Sequence, residues 1–535
     1  MNNSCFESGA GFGRRATPFA CMLIASVLLT SAGAAFSAET ASTTDVSAKM
    51  DPGIVAALRG KSSKPLRVLI EPQSAAPKTL LEPMNHLPRE TRLRRSYDTL
   101  AAAARQSQAP IVRWLRQQGV AFRAFTVVNA ISAELTSTQL RALAARADVR
   151  YLADDPVVRN KLPGSDGSRD AAPKDACNNL PGVPWGIERV NADDVWALGA
   201  RGQGIVVAGQ DTGYDFDHPS LIAQYRGNGA PPDHNYNWHD AIHAFINGGN
   251  ACGLNVVSPC DDSNHGTHTM GTMVGENDAT GFTVGVAPDA QWIGCRNMEE
   301  GDGTPSTYLE CFDWFLAPTD LSGSNPDPSK APHVINNSWG CPTSEGCTSA
   351  NWSQMNTAVN NLTAAGVLVV ASAGNAMGAT CSSIAAPAAM YANSLTVAWT
   401  SNTPGNSLHT SSMRGPVTAD GSNRMKPDIS APGSGVCSTV PGTGFGTLSG
   451  TSMAGPHVAG VAALLMSAFP TLKNDPPAVR DVMLQSALPL PQAGSCGGFA
   501  GSDRPNPFTG WGLVDALAAY QRVQAAMYLF GDGFE

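Results

Sequence analysis

Ser452 stands among small residues in Gly450-Thr451-Ser452-Met453-Ala454, directly before an apolar run that extends to Leu465. A serine that opens a buried helix exposes its hydroxyl in a crevice. There it meets unpaired backbone N–H groups and the positive end of the helix dipole. A serine hydroxyl is a weak nucleophile until a base takes its proton, so Ser452 needs a histidine and a group that orients it. Three motifs offer these parts. Asp211 follows a short β-branched run and precedes Gly213, which suits a partly buried carboxylate that orients an imidazole. His265, in Asn264-His265-Gly266-Thr267-His268, opens a helical pattern and is placed to take the Ser452 proton and pass it to a leaving amine. Asn375, in Ala373-Gly374-Asn375, ends another β-branched run. Its amide and the Ser452 N–H together suit a developing oxyanion.

Each residue also has a plainer reading. Asp211 fits a turn or helix cap, Asn375 a turn, and a lone histidine is more often structural, as His268 is expected to be. Metal binding by His265 and His268 lacks a nearby carboxylate partner. Together the motifs are far more specific. The order Asp, His, Ser is one of three in which this triad recurs, and it excludes an α/β-hydrolase esterase, where serine comes first. A dinucleotide-binding enzyme would need Gly-x-Gly-x-x-Gly after the first strand, which residues 209–213 do not provide. A non-catalytic binding protein on the same scaffold would normally lack a triad member, and none is missing.

The elements that must position these residues are legible in outline. The chain has 535 residues, more than one core usually serves. Its 42% hydrophobic and 15% charged content is that of a soluble globular protein, and a net charge of −9 argues against a nucleic-acid partner. Short β-branched runs at 204–209, 334–338 and 366–373 alternate with helical stretches. This pattern predicts an α/β fold, a mostly parallel sheet with helices on both faces, with sites beyond the carboxyl ends of its strands.

Residues 1–38 read as an export signal, with Arg14 and Arg15 before an apolar run and small residues after it. Residues 39–65 read as a linker. Residues 66–158 read as a small α+β unit with strands at 66–70, 127–135 and 149–152 and helices at 89–118 and 138–147. Its arginines suit a solvated face or an acidic partner domain. Residues 159–183 form a Gly/Pro-rich linker open to cleavage, 184–527 the α/β domain and 528–535 a short tail. Loops 231–260 and 300–332 read as insertions without an assigned role.

Of 12 cysteines, Cys5 and Cys21 fall in the signal, leaving an even ten, which in an exported protein reads as disulfides. Short loops favour Cys252–Cys260 and Cys341–Cys347, with Cys295–Cys311 next. A zinc site would call for Cys-x-x-Cys or His-Glu-x-x-His, and neither occurs.

Taken together, Asp211-Thr212-Gly213, His265-Gly266-Thr267-His268, Ser338-Trp339-Gly340, Ala373-Gly374-Asn375 and Gly450-Thr451-Ser452-Met453-Ala454 resemble the subtilases, subtilisin-like serine endopeptidases. Residues 66–158 resemble the family's inhibitory propeptide, in a ferredoxin-like fold. The resemblance implies a secreted, self-processed endopeptidase acting as a monomer on proteins or peptides. The catalytic residues would be Asp211, His265 and Ser452, with Asn375 in the oxyanion hole. No membrane or nucleic-acid partner is implied after processing. Ser338, Trp339 and Gly340 would form one wall of the pocket for the side chain before the scissile bond, and residues 298–301 the opposite edge. Ala376 and Met377, after the oxyanion asparagine, imply a preference for apolar or aromatic side chains. No cofactor is required. Relatives hold calcium through a loop after the histidine helix and an aspartate after His-Pro. Here Ser220 replaces that aspartate, so the usual strong site is not expected.

Overall fold

The computed structural model describes residues 46–60, 64–74, 84, 86–160, 162, 177, 183–277, 279–403, 405 and 407–531, with side chains to residue 527. The expected signal and most of the 159–183 linker lie outside them.

Helix α1 (Pro52–Arg59) leads into β1 (Leu66–Pro72), α2 (Arg89–Gln117), β2 (Phe122–Phe125), β3 (Ala130–Leu135), α3 (Ser137–Ala144) and β4 (Val149–Asp154). The four strands form an antiparallel sheet in the order β2-β3-β1-β4. This is the split-βαβ topology of ferredoxin-like units. Helix α1 lies within the stretch read as a linker. Its Ile54 and Leu58 are buried with Leu152, but two apolar residues are too few to declare a period. The single strand expected at 127–135 is broken. Residues 126–129 turn, with Asn129 at φ 51°, and β3 starts at Ala130. Helix α3 starts one residue earlier than expected, capped by Thr136 and Gln139 in a reciprocal capping box.

Strand β5 (Val158–Arg159) follows, and the larger part contains β6 (Val206–Asp211), β7 (Trp238–Asp240), α4 (His265–Val274), β8 (Gln291–Arg296), β9 (Met298–Glu299), β10 (Asp302–Gly303), α5 (Pro305–Leu316), β11 (Val334–Asn337), α6 (Ser349–Ala365), β12 (Leu368–Ser372), β13 (Ser394–Thr400), β14 (Ile429–Pro432), α7 (Thr451–Ala468), α8 (Pro476–Ser486) and α9 (Ala516–Gly531). Seven strands pair in parallel in the order β14-β13-β12-β11-β6-β8-β7. Successive strand residues feed opposite faces. Val207, Val334 and Val370 pack with Met270 and Val458 of α4 and α7, whereas Ala208, Ile335 and Val369 pack with Phe312 and Val359 of α5 and α6. Both faces are covered, so the strands are apolar without alternation.

The two loops read as insertions are structural. Residues 231–260 carry β7, and residues 300–332 carry β10 and α5, whose start is marked by Thr304 and Pro305. The stretch read as a tail from Tyr528 continues α9 to Gly531. All three short-range disulfides form as expected. Cys177–Cys437 and Cys381–Cys496 join residues 260 and 115 positions apart, a span no local pattern reveals.

Candidate active site

The carboxyl ends of β6 and β12 and the first turns of α4 and α7 converge. Asp211 is the last residue of β6, His265 the first of α4 and Ser452 the second of α7, and all three are buried. His265 Nδ1 and Asp211 Oδ1 are 2.7 Å apart. Asp211 Oδ1 also accepts the Thr212 N–H at 2.8 Å. The contact between His265 and the Asp211 carboxylate assigns the imidazole proton to Nδ1 and leaves Nε2, which has no partner among the described residues, as the basic nitrogen. No hydrogen bond joins it to Ser452, whose Oγ lies 3.5 Å from the Ser338 carbonyl. Burial holds His268 at about 3, so it stays neutral, with Nε2 on the Val436 carbonyl at 3.0 Å.

Close backbone approach explains the glycines beside these residues. A Cβ on Gly266 would collide with the Gly213 carbonyl, and one on Gly213 with the Cys260 carbonyl. Between them sits Asp261, a residue the sequence did not single out. Its carboxylate accepts from Thr212 Oγ1 at 2.8 Å and from the Thr267 N–H at 2.9 Å. It thereby ties the aspartate strand to the histidine helix. Burial pushes this carboxyl above the usual range, while the Thr267 and Thr212 hydrogen bonds oppose the rise.

On the serine side, Asn375 Oδ1 accepts from Thr451 N and from Thr451 Oγ1, both at 2.9 Å. Thr451 Oγ1 in turn accepts the Gly374 N–H at 3.1 Å. With its oxygen engaged, Asn375 presents Nδ2 as the free donor. Thr451 is thus a positioning residue hidden inside a motif read only for its serine. Pro456 lacks the N–H that would bond the Ser452 carbonyl four residues back. Ser338 Oγ donates to that carbonyl at 3.1 Å, linking the pocket wall to the serine helix.

Beside Ser452 lies a pocket of about 350 Å³, lined by Ser338, Trp339 and Gly340 on one side and Ala373, Gly374 and Asn375 on another. Trp339 is buried and stacks on Tyr308, with ring centroids 4.0 Å apart. Met377, on which the expectation of an apolar preference rested, is 98% exposed, and neither it nor Ala376 lines the pocket. The opposite edge is the β9–β10 hairpin, and β10 is the strand that pairs, slightly beyond the expected 298–301. Strand β5 runs antiparallel to it, Asp302 opposite Arg159 and Gly303 opposite Val158. Asn160 continues along the cleft. It donates its N–H to the Gly301 carbonyl at 3.3 Å and accepts the Gly340 N–H on Oδ1 at 3.0 Å. Loop 231–260 braces this edge, since Asn247 N and Asn250 Nδ2 donate to the Glu299 carboxylate at 3.0 and 2.8 Å.

At the position where relatives hold calcium, the described residues do not fit the ion. Ser220 is buried with its hydroxyl unpartnered, and its carbonyl accepts the Glu276 N–H at 3.0 Å. The Glu276 carboxylate is taken by Arg201, with both oxygens 2.7 Å from one guanidinium nitrogen. The Arg201 guanidinium already neutralises the Glu276 carboxylate. A chelator is therefore expected to leave the thermal unfolding midpoint unchanged. Arg201→Ala, which removes a partly buried charge-assisted pair of about 1–2 kcal/mol, is expected to lower it by about 1–3 °C in calorimetry. A large drop with chelator alone would overturn this expectation.

A model of the subtilase family of peptidases matches residues 202–512, and the chain belongs to that family of serine endopeptidases. It is 35% identical over 438 residues to Bacillopeptidase F of Bacillus subtilis (strain 168), covering 79% of this chain and 28% of that protein. It is 32% identical over 351 residues to M-protease of Shouchella clausii (strain KSM-K16), covering 65% of this chain and 72% of that protein. It is 29% identical over 352 residues to subtilisin E of Bacillus subtilis (strain 168), covering 65% and 74%. The chain thus spans just over a quarter of Bacillopeptidase F and about three quarters of the other two.

Proposed function

We propose that this chain is a secreted serine endopeptidase, made as a self-processed zymogen and acting as a monomer on protein or peptide substrates. The observation that carries the chemistry is the buried Asp211–His265 pair, with Nε2 left unbonded where the histidine helix packs against the helix bearing Ser452. His265 takes the Ser452 proton as Oγ turns from the Ser338 carbonyl and attacks the substrate carbonyl. Such hydrogen bonds commonly tighten only when substrate is in place. Asn375 Nδ2 and the Ser452 N–H, a first-turn amide without an intrahelical acceptor, stabilise the oxyanion. His265 then protonates the leaving amine, and water releases the acyl group by the same route in reverse. Substrate lies extended, adding a strand to β10 as β5 does.

The zymogen reading rests on how residues 46–160 sit. Beyond occupying the cleft, they engage the ends of two helices of the larger part. Asp155 accepts Ser306 N and Oγ at 2.8 and 2.7 Å in the first turn of α5. Asp51 accepts Thr348 Oγ1 at 2.8 Å where α6 begins. The buried Arg92 guanidinium donates to the Ala364 and Thr363 carbonyls at 2.7 and 3.0 Å, where α6 ends. The basic unit uses this arginine on helix carbonyls, which carry partial negative charge, while its Arg123 pairs with Glu310 of α5 at 3.4 Å. Asp313 of α5 accepts the Thr126 and Val127 N–H groups at 2.7 and 2.6 Å.

Removing Asp313 leaves two propeptide donors without an acceptor. Asp313→Ala is expected to weaken inhibition about 10-fold or more. Casein hydrolysis by the freshly processed, unseparated mixture would then appear earlier than in the wild type; an unchanged lag would count against the contact. Export is supported by the sequence of residues 1–38, by disulfides joining all ten cysteines beyond them, and by the family. No helix among the described residues is long and apolar enough to cross a membrane.

A further inference from the structure

The pocket beside Ser452 has one chemical feature that the peptidase reading does not use. Among the described residues that line it, Glu345 is the one that carries a charge. Its position is built rather than incidental. It ends a 3-10 turn, Thr343–Glu345, closed by Gly346 in the left-handed region at φ 96°. The Cys341–Cys347 disulfide closes the loop directly after Gly340, so Glu345 is held in register with the substrate wall. Other parts of the lining, Ala385, Ala386, Ala389 and Met413, are small or apolar and suit the methylene stem of a long side chain.

We propose that Glu345 makes this enzyme select a basic residue, lysine or arginine, immediately before the scissile bond. The inference rests on the peptidase reading and deepens it. A cation at the end of an aliphatic stem lays apolar surface on the alanines and Met413 and meets the carboxylate at the wall. An apolar side chain fills the same volume but sets hydrocarbon against a carboxylate taken out of water, which is unfavourable. Glu345 therefore acts in both directions, for the cation and against its competitors. An acidic substrate side chain is excluded most strongly.

The test uses the mature enzyme and fluorogenic peptides that differ only in the residue before the scissile bond, covering Lys, Arg, Leu, Phe and Glu. Active sites are counted by fluorophosphonate labelling. For the wild type, kcat/KM is expected to be highest for Lys and Arg and lowest for Glu. Glu345→Gln keeps the shape and removes the charge. It is expected to lower the ratio of kcat/KM for Lys and Arg to that for Leu and Phe about 10–100-fold, with fluorophosphonate labelling retained. A wild type that prefers Leu or Phe, or a Glu345→Gln enzyme that slows on all peptides alike, would overturn the assignment while labelling persists. Loss of labelling in the wild type would instead overturn the peptidase reading, and the assignment with it.

Discussion

Replacing Ser452 with alanine is expected to abolish casein hydrolysis, a loss of about 10⁶-fold in kcat, and to eliminate fluorophosphonate labelling. The substitution deletes one oxygen from a site where Ser452 is only 3% exposed, so the fold should survive. The same protein should also remain a precursor. If maturation is self-cleavage, the wild type begins between Arg159 and Pro184, whereas Ser452→Ala keeps residues 46–158 attached. N-terminal sequencing of the secreted forms distinguishes the two. Persisting hydrolysis or labelling would end the serine-peptidase reading. A wild-type start before Arg150, or inside the larger domain, would end the self-processing reading. His265→Ala should cost nearly as much, and the double substitution hardly more, because residues that act as a unit are not additive.

The second large effect is expected at Asn375. Asn375→Ala should lower kcat about 10²–10³-fold and leave KM near the wild-type value, because the amide meets the substrate oxygen only as it gains charge. The hydrogen bonds around Asn375 make this sharper. Thr451 N and Oγ1 hold its oxygen from one side, so Nδ2 is presented without reorganisation at the moment of reaction. Asn375→Asp replaces that donor with a carboxylate and should be worse than alanine, since it places negative charge beside the oxyanion. A parallel rise in KM with kcat unchanged would mean that Asn375 serves ground-state binding instead. Steady-state kinetics on one peptide separates these outcomes.

Much of this site was legible because its residues stand at places that local sequence marks. Asp211 and Asn375 follow short β-branched runs, and His265 and Ser452 open helical patterns, so strand ends and helix starts could be placed without tertiary information. Chemistry then limited what such residues could do together. The parallel α/β class was legible for a related reason: a sheet covered on both faces requires continuous apolar strands, and β11 and β12 are of that kind. The three short-range disulfides were legible because brief loops leave a cysteine few partners.

Other features came only from the path of the chain. Asp261 and Thr451 gained their roles from neighbours on other elements, Thr212 and Thr267 for one and Asn375 for the other. The turn at 126–129 breaks an apparently continuous strand because its N–H groups find Asp313, far along the sequence. The edge that pairs with the substrate-like strand lay inside a stretch that read as an insertion. Glu345 sat among turn residues with no helical or strand period, and only the folded loop brings it to the pocket beside Ser452. The division has one physical cause. Backbone propensity and burial periodicity act over a few residues and are written locally, whereas the partner of a buried polar group is settled by which distant segments the fold brings within hydrogen-bond reach.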